Sequence, residues 1–387
     1  MPFQSLCDGF IDNKNVRATE FASAISTFAS NPSLKKLSRK DSNLQNSYIK
    51  LDDGTVLALS SKNISGKVLG KGALGRCKYV MDKDDNTYVI KIETANSAAQ
   101  ENETVVLTDL KYLLHKTKTE IVREHTKFYT TMFNLGKSLE RYISMPCIDS
   151  EYKFSIARKI AWEVHKLHAG QLSNTGTQYA HLDIKPANIV VDKKNNIWLI
   201  DFGTAVNINE PNFKPITTTS MYQPSSFDDN QLEPDQYLAL VGPRLQELGP
   251  AGIDQYALKR TLFLPIYNNN EKIDPSTYGF CLFSKDEFDQ LPERIKALLN
   301  TEQVTDVNSN ISTPLEIATL FLLMECKLSP DLINILSHTQ KLDLCELAYR
   351  DNLPISEDDP QDDLTNMTAQ INDYLSQNNI SETRPRL

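Results

Sequence analysis

Two short segments in the middle of the chain combine the residue types that the chemistry of phosphate groups requires. In the first, HLDIKPAN, Asp183 can accept or orient a hydroxyl proton, the Asn188 carbonyl can bind a metal ion, and Lys185 can neutralise a moving phosphoryl group. In the second, IDFG, Asp201 follows an apolar run, and its carboxylate is a hard oxygen ligand that suits magnesium. An aspartate and an asparagine this close in a tight loop can serve one centre.

A glycine cluster lies earlier in the chain, in the segment GKGALG. Gly70, Gly72 and Gly75 would let the backbone approach phosphates closely and present N–H groups to them. A dinucleotide fold needs such glycines to open a helix, whereas these lie between two predicted strands. The pattern therefore favours a glycine flap folded over a nucleotide.

A lysine follows the glycine cluster, and it needs a carboxylate to hold it. Lys91 ends the apolar strand run YVIK, so its ammonium is expected to point inward and bind phosphate. Glu103 is one candidate partner, because apolar residues three, four and seven positions later would share its helix face. Glu124 is the alternative if the helix predicted over 97–125 continues that far. We favour Glu103, since the β-rich runs KFYTTMF and RYISMPC then remain available as a hairpin.

The remaining elements follow from hydrophobic spacing and turn residues. We predict a helix over 17–30, a polar basic linker over 33–46 and a hairpin over 47–60. A second hairpin is predicted over 64–93 and an amphipathic helix over 154–168. Two strand-like runs, NIVV and IWLI, then flank the turn DKKNN. The order is β-rich first and helix-rich later.

These segments together resemble the signature set of eukaryotic-type Ser/Thr protein kinases: a Gly-rich loop, a strand lysine, a catalytic loop and D-F-G. The motifs cover residues 64–205. The resemblance implies an α+β, two-lobed protein-kinase-like fold with a β-rich N-lobe, a helical C-lobe and extensions at both ends. The expected boundaries are an N-terminal extension over 1–60, an N-lobe over 61–147, a C-lobe over 148–340 and an acidic C-terminal tail over 341–387.

The resemblance also implies a role for each matching residue in an ATP-dependent transfer of the γ-phosphoryl group to a Ser or Thr hydroxyl of a protein substrate. Lys185, two residues after the catalytic aspartate, is typical of Ser/Thr-directed kinases. In the nucleotide site, Gly70, Gly72 and Gly75 would cover the ATP phosphates, Lys91 held by Glu103 would contact the α- and β-phosphates, and Met145 would be the gatekeeper of the adenine pocket. In the catalytic loop, Asp183 would be the catalytic base and Lys185 would support the γ-phosphate. Asn188 and Asp201 would bind Mg²⁺ (or Mn²⁺).

Three features depart from the family pattern. Leu182 replaces the arginine that usually precedes the catalytic aspartate, so activation through a loop phosphate paired with that arginine is not expected. No A-P-E motif is visible, and residues 221–225 (MYQPS) are its nearest remnant. The aspartate that anchors the large lobe is Asp235 or Asp254; Pro243 would end a helix from Asp235 early, which favours Asp254.

A degenerate substrate region beside an intact catalytic core resembles the kinases that intracellular bacterial pathogens inject into host cells. The expected setting is therefore cytoplasmic, or a host cell reached by secretion without a signal peptide. The alternative activities are a pseudokinase or phosphoinositide-binding scaffold, and an AMP transferase built on the kinase fold.

Composition narrows the class further. The net charge of −9, from 41 basic and 50 acidic residues, argues against a protein devoted to nucleic acid. No apolar run is long enough to span a membrane, and the N-terminus has no signal-peptide pattern.

The six cysteines form no C-x-x-C pair, as expected of free thiols in a reducing compartment. An anionic lipid or inositol phosphate is a candidate partner for two basic clusters, formed by Lys35, Lys36, Arg39 and Lys40, and by Lys111, Lys116, Lys118, Arg123 and Lys127.

Overall fold

The computed structural model describes residues 10–11, 13–40, 42–60, 75–93, 98–122, 125–143, 150–192, 194–210, 212–214, 219, 222–223, 234–263, 281–299, 313–350 and 360–380. The chain divides into two compact units, an N-terminal unit (Met1–Leu135) and a C-terminal unit (Gly136–Leu387). The first is rich in strands and the second in helices, as the sequence predicts.

The N-terminal unit is built on one seven-stranded sheet with the order β1-β2-β3-β4-β5-β7-β6, and all of its strand pairs are antiparallel. Strand β5 is central, and its alternating side chains bury Ile90 and Ile92 on one face while Lys91 points to the other. The elements are α1 (Lys14–Ser30), β1 (Lys36–Leu37), β2 (Ser47–Lys50), β3 (Val56–Leu59), β4 (Gly75–Met81), β5 (Thr87–Glu93), α2 (Ala98–Asp109), β6 (Leu113–Val122) and β7 (His125–Phe133).

The helix predicted over 97–125 is wrong beyond Asp109. Lys111 adopts the left-handed conformation (φ 59°), and the Tyr112 N–H donates to the Leu107 carbonyl at 2.9 Å, which is the hydrogen bond that closes a helix C-terminus. The chain then continues as β6, whose threonines and β-branched aliphatic residues favour an extended backbone. The predicted hairpin KFYTTMF–RYISMPC is therefore replaced by β6–β7.

The N-terminal extension is part of this unit rather than a separate layer. Strand β1, within the predicted linker, pairs with β2, and β3 pairs with β4. Helix α1 packs Phe21 and Phe28 against Tyr48 and Met81. The structure thus divides the chain after Leu135, whereas the sequence placed the end of the N-lobe at 147.

The C-terminal unit surrounds helix α4, which packs against α8. Between these two helices, the buried guanidinium of Arg158 donates to Glu325 at 2.7 Å. The residues RYI, expected in a strand, belong instead to helix α3. The elements are β8 (Lys137–Ser138), α3 (Leu139–Ile143), α4 (Ser150–His168), β9 (Tyr179–Ala180), β10 (Ile189–Val191), β11 (Ile197–Leu199), β12 (Val206–Asn207), α5 (Pro234–Leu262), α6 (Lys285–Gln290), α7 (Glu293–Leu299), α8 (Pro314–Glu325), α9 (His338–Arg350) and α10 (Pro360–Gln377).

Helix α5 continues past Pro243, where the sequence predicted an early end. The break comes instead at Gly249, which has a non-helical backbone (φ 65°, ψ 175°). Pro250 then opens the second segment, where a missing N–H costs no helical hydrogen bond. The break separates Asp235, in the first segment, from Asp254, in the second.

The segment expected as an acidic tail contributes to the core of the C-terminal unit. Helix α9 buries Cys345, and helix α10 buries Met367, Ile371 and Leu375. The amphipathic spacing of these apolar residues allows one face of α10 to pack while Asp373 remains exposed. Within the described ranges, no helix combines the length and the apolar character that crossing a bilayer requires.

The start of the C-terminal unit depends on a glycine. Gly136 has φ 125°, and a Cβ built on it would lie 2.2 Å from the Val191 carbonyl oxygen. Gly136→Ala should destabilise this unit by roughly 2–4 kcal/mol through backbone strain and overlap. Both tryptophans, Trp162 and Trp198, lie in the C-terminal unit. Urea unfolding followed by tryptophan fluorescence therefore measures the effect.

Gly176 supplies the matched control for this substitution. It also has positive φ (74°), but a Cβ there would meet nothing within 4 Å. Gly176→Ala should cost only about 1 kcal/mol, from the left-handed backbone alone. Equal midpoint shifts for the two variants would contradict the close approach at Gly136.

Candidate active site

Lys91 and Glu103 form a partly buried ion pair in the N-terminal unit. Strand β5 lies between β4 and β7, which fixes the Lys91 backbone opposite Cys77 and Thr130. Lys91 Nζ donates to Glu103 Oε2 at 2.6 Å. Because α2 ends at Asp109, Glu103 is the glutamate that the helix brings to Lys91, while Glu124 lies outside the described residues.

A second carboxylate also reaches this lysine. Glu93, two residues along β5 and on the same face, places Oε1 3.4 Å from Lys91 Nζ. Its side chain is buried, so the ammonium lies between two carboxylates in a region of reduced dielectric. Glu93 was not predicted from the sequence, although the period of two residues along a strand places it on the face of Lys91.

The catalytic-loop motif forms one hydrogen-bonded cluster in the C-terminal unit. Lys185 Nζ donates to Asp183 Oδ2 at 2.6 Å, and Asn188 Nδ2 donates to the same oxygen at 2.9 Å. Asn188 Nδ2 also donates to the Asp183 carbonyl at 2.9 Å. The Asp183 carboxylate is therefore held from two sides, with its loop closed by the 3-10 turn Pro186–Asn188.

Thr219 also belongs to this cluster, and its role was not predicted from the sequence. Its hydroxyl donates to Asp183 Oδ1 at 2.9 Å and accepts from Lys185 Nζ at 2.6 Å. Thr219 thus ties the segment after IDFG to the aspartate and the lysine of the loop. The available signal was the TTTS run, but nothing in the sequence distinguished Thr219 from its neighbouring threonines.

Asp254 anchors the catalytic loop through its backbone, and it is the aspartate that the sequence favoured over Asp235. Its side chain is 0% exposed. Its Oδ1 accepts from the Leu182 N–H at 2.7 Å, and its Oδ2 accepts from the His181 N–H at 2.6 Å and lies 2.9 Å from His168 Nε2. These bonds satisfy two backbone donors that would otherwise be buried without partners.

The backbone between His181 and Asp183 is strained in a way that the anchor explains. Leu182 has φ 63°, a rare conformation for a branched residue. Its side chain packs in a core cluster with Ala180 and Phe213, where the family has an arginine. The His181 ring completes the turn: its Nδ1 accepts from the Asp183 N–H at 3.3 Å, so its Nε2 is the atom that donates to the Ile200 carbonyl at 2.9 Å.

Asn188 and Asp201 have the donor chemistry of a magnesium site. Ile200 links the two segments, because its N–H donates to the Asn188 carbonyl at 2.9 Å. Asn188 uses its Nδ2 for Asp183, which leaves the amide oxygen as the atom for a cation. The left-handed backbone of Asp201 (φ 67°) buries Phe202 against His181. Two oxygen donors suit Mg²⁺, which takes its other ligands from water and substrate phosphates. Among the described residues, no cluster of three or more His, Cys, Asp or Glu side chains would form a metal site by itself.

Glu140 contributes a further carboxylate near the loop. It lies on α3, next to the turn that follows Lys185. Burial raises the pKa of its carboxyl, although the charge of Lys185 acts to lower it. Among the described residues, its Oε2 is buried without a hydrogen-bond partner.

The structure describes one of the three glycines expected over the ATP phosphates. Gly70, Gly72 and Met145 lie outside the described residues. Gly75 begins β4, where its backbone pairs with Glu93. Lys116 and Lys118 of the second basic cluster lie on strand β6, outside helix α2.

Comparison with known proteins agrees with this geometry. Residues 64–227 match the family model of the protein kinase domain. The Serine/threonine-protein kinases Nek2 of Mus musculus and Homo sapiens are each 27% identical over 156 residues, which is 36% of this chain and 35% of each relative. The chloroplastic Serine/threonine-protein kinase STN8 of Arabidopsis thaliana is 45% identical over 53 residues, 14% of this chain and 9% of that protein.

Residues 64–227 of the chain are therefore similar to the protein kinase domain, and the relatives that resemble this part of the chain at low identity are Ser/Thr protein kinases. The fold class is the α+β protein-kinase fold, with a β-rich N-lobe and a helical C-lobe. The match spans about a third of the length of the Nek2 kinases.

The anchor makes a direct prediction about stability. Asp254→Asn keeps the shape but leaves one acceptor oxygen for two backbone N–H groups, so the C-terminal unit should lose roughly 2–4 kcal/mol. Asp235→Asn, on the exposed start of the same helix, should change stability by less than about 0.5 kcal/mol. Urea unfolding followed by tryptophan fluorescence measures both. Similar losses in the two variants would refute the role of Asp254 as an anchor.

Proposed function

We propose that this protein is an ATP-dependent Ser/Thr protein kinase. The observation that carries the proposal is the cluster of Asp183, Lys185 and Thr219, in which a carboxylate, an ammonium group and a hydroxyl are joined by hydrogen bonds of 2.6–2.9 Å. Such a cluster supplies an acceptor for a hydroxyl proton beside a positive charge for a transferred phosphoryl group.

In the proposed reaction, the hydroxyl oxygen of the substrate forms a bond to the γ-phosphorus of ATP. The bond from that phosphorus to the β–γ bridging oxygen breaks, and ADP leaves. Asp183 orients the attacking hydroxyl and accepts its proton, while Lys185 neutralises charge on the transferred group. Thr219 is a positioning residue in this scheme, because it holds both side chains.

The cofactor roles follow from the donors described above. Lys91, oriented by Glu103, would bind the α- and β-phosphates, and Asn188 and Asp201 would hold Mg²⁺ or Mn²⁺. The metal supplies charge neutralisation on the phosphates. Catalysis by this chain then rests on positioning and electrostatics rather than on a covalent intermediate.

Phosphate transfer to general protein acceptors tests the proposal. The full chain, incubated with Mg²⁺ or Mn²⁺ and ATP labelled at the γ-phosphate, should label casein, myelin basic protein or a lysate protein on serine or threonine. Asp183→Asn and Lys91→Met should each lower the rate by roughly a hundredfold or more. Lys14→Met, at a side chain that is 81% exposed, should leave the rate unchanged.

The other outcomes identify the alternatives. Label transferred from the α-phosphate of ATP would indicate an AMP transferase. No transfer in any arm would indicate a pseudokinase or a scaffold, and full activity in Asp183→Asn would refute the assigned base. Phosphotyrosine as the product would refute the Ser/Thr assignment.

The cellular setting belongs to the same proposal. Cys326 and Cys345 are buried thiols, and reducing compartments maintain thiols. We place the activity in cytoplasm, and the resemblance to injected kinases extends this to the cytoplasm of a host cell. A translocation reporter fused to the full chain would test the second step.

A further inference from the structure

The N-terminal unit contains a pocket of about 480 Å³ that the kinase motifs do not use. Residues of α1, of the β2–β3 hairpin, of the turn between β4 and β5, and of strands β5 to β7 line it. Its volume falls in the range of small-molecule sites. All of its lining residues belong to one compact unit.

Most of the wall is apolar and aromatic. Leu51 and Leu57 are buried at its base, and Tyr88 and Phe133 lie side by side as a cross-strand pair. Ile25 and Phe133 are 43% and 44% exposed, which is high for large apolar side chains. A flat apolar molecule would cover both of them and would contact the two aromatic rings.

One polar group in the wall lacks a partner. Thr131 is 1% exposed, and its Oγ1 makes no hydrogen bond with any described residue. A buried hydroxyl that has left water without a replacement bond is costly. A ligand with a hydrogen-bonding group would satisfy it, which gives the site one directional contact within an apolar wall.

The charges at the rim oppose the binding of anions. Asp82 accepts hydrogen bonds from the Tyr88 hydroxyl at 3.1 Å and from Asn86 Nδ2 at 2.9 Å. Burial acts to raise the pKa of Asp82, but these bonds outweigh it and lower the pKa, so the group is ionised at neutral pH. Lys83 Nζ is neutralised by Asp84, at 2.9 and 2.8 Å from its two oxygens. The rim therefore carries a net charge of about −1.

We propose that this pocket is a binding site for a small, uncharged aromatic molecule that carries one hydrogen-bonding group. The rings of Tyr88 and Phe133 pack against the ligand, and Thr131 hydrogen-bonds to it. The acidic rim rejects phosphates and carboxylates of the same size.

Sheet register places this site on the face opposite Lys91. Tyr88 lies three residues before Lys91 on β5, and Thr131 follows Thr130, the residue paired with Lys91. Since side chains alternate across a strand, Tyr88 and Thr131 share the face away from the lysine. Ligands of the pocket therefore do not compete with a nucleotide held by Lys91, and the site does not depend on the proposed kinase activity.

Calorimetric titration of the full chain with indole, phenol and benzamide tests the proposal, with indole-3-acetate as the anionic counterpart. At least one neutral probe should bind, and indole-3-acetate should bind at least tenfold more weakly than indole. Thr131→Val keeps the shape and removes the hydroxyl, so the affinity should fall about fivefold, the worth of one neutral hydrogen bond.

Two variants of α1 localise the binding without disturbing the core. Ile25→Trp should fill the pocket mouth and abolish binding, because Ile25 is exposed and lines the pocket. Val16→Trp, also at an exposed position of this helix but away from the pocket, should leave the affinity unchanged. Saturating ATP with Mg²⁺ should not displace the probe. The proposal is overturned if none of the neutral probes binds, if Ile25→Trp binds as well as the unmodified chain, or if ATP displaces the probe.

Discussion

The geometry of the loop that carries Asp183 depends on one buried carboxylate that accepts hydrogen bonds from the backbone. Asp254, fully buried on the second segment of α5, accepts from the N–H groups of His181 and Leu182. This pair of bonds holds the left-handed backbone at Leu182, and the next residue is Asp183. Without the carboxylate, two buried donors would lack partners and the backbone strain would have no compensation. The position of the catalytic-loop aspartate is therefore set by a residue far along the chain, which makes the loop a product of the tertiary fold.

In the N-terminal unit, the position of the Lys91 ammonium also depends on apolar packing together with an opposite charge. Lys91 is carried by a central strand whose opposite face is packed with Ile90 and Ile92, so its ammonium has a fixed direction. Glu103 satisfies that charge from helix α2, and Glu93 lies nearby on the same strand face. A buried ammonium without a carboxylate would be costly or would lose its proton. Each unit thus uses packing to fix one charged side chain and a second charged group to stabilise it.

Local patterns in the sequence predicted which polar side chains lie together better than they predicted the helices and strands around them. Asp183, Lys185 and Asn188 lie within one tight loop, so their spacing alone brings them together, and the preference for Asp254 over Asp235 agrees with the structure. The prediction over 97–125 was wrong because helical spacing persists beyond Lys111, where a left-handed residue ends the helix. Pro243 was given too much weight, since α5 breaks at Gly249 instead. Thr219 could not be found, because its role depends on a contact between segments that no periodicity encodes.

We propose that Asp254 positions Asp183 for phosphoryl transfer, and steady-state kinetics of Asp254→Asn test this role most directly. The comparison is made at a low temperature where fluorescence shows the variant folded, with the affinity for magnesium–ATP measured in parallel. We predict that kcat falls by roughly a hundredfold or more, because misplaced catalytic groups forfeit most of their contribution, while the nucleotide affinity changes by less than about threefold. A folded variant with kcat within about twofold of the unmodified chain, a change worth less than ~0.5 kcal/mol, would contradict the account.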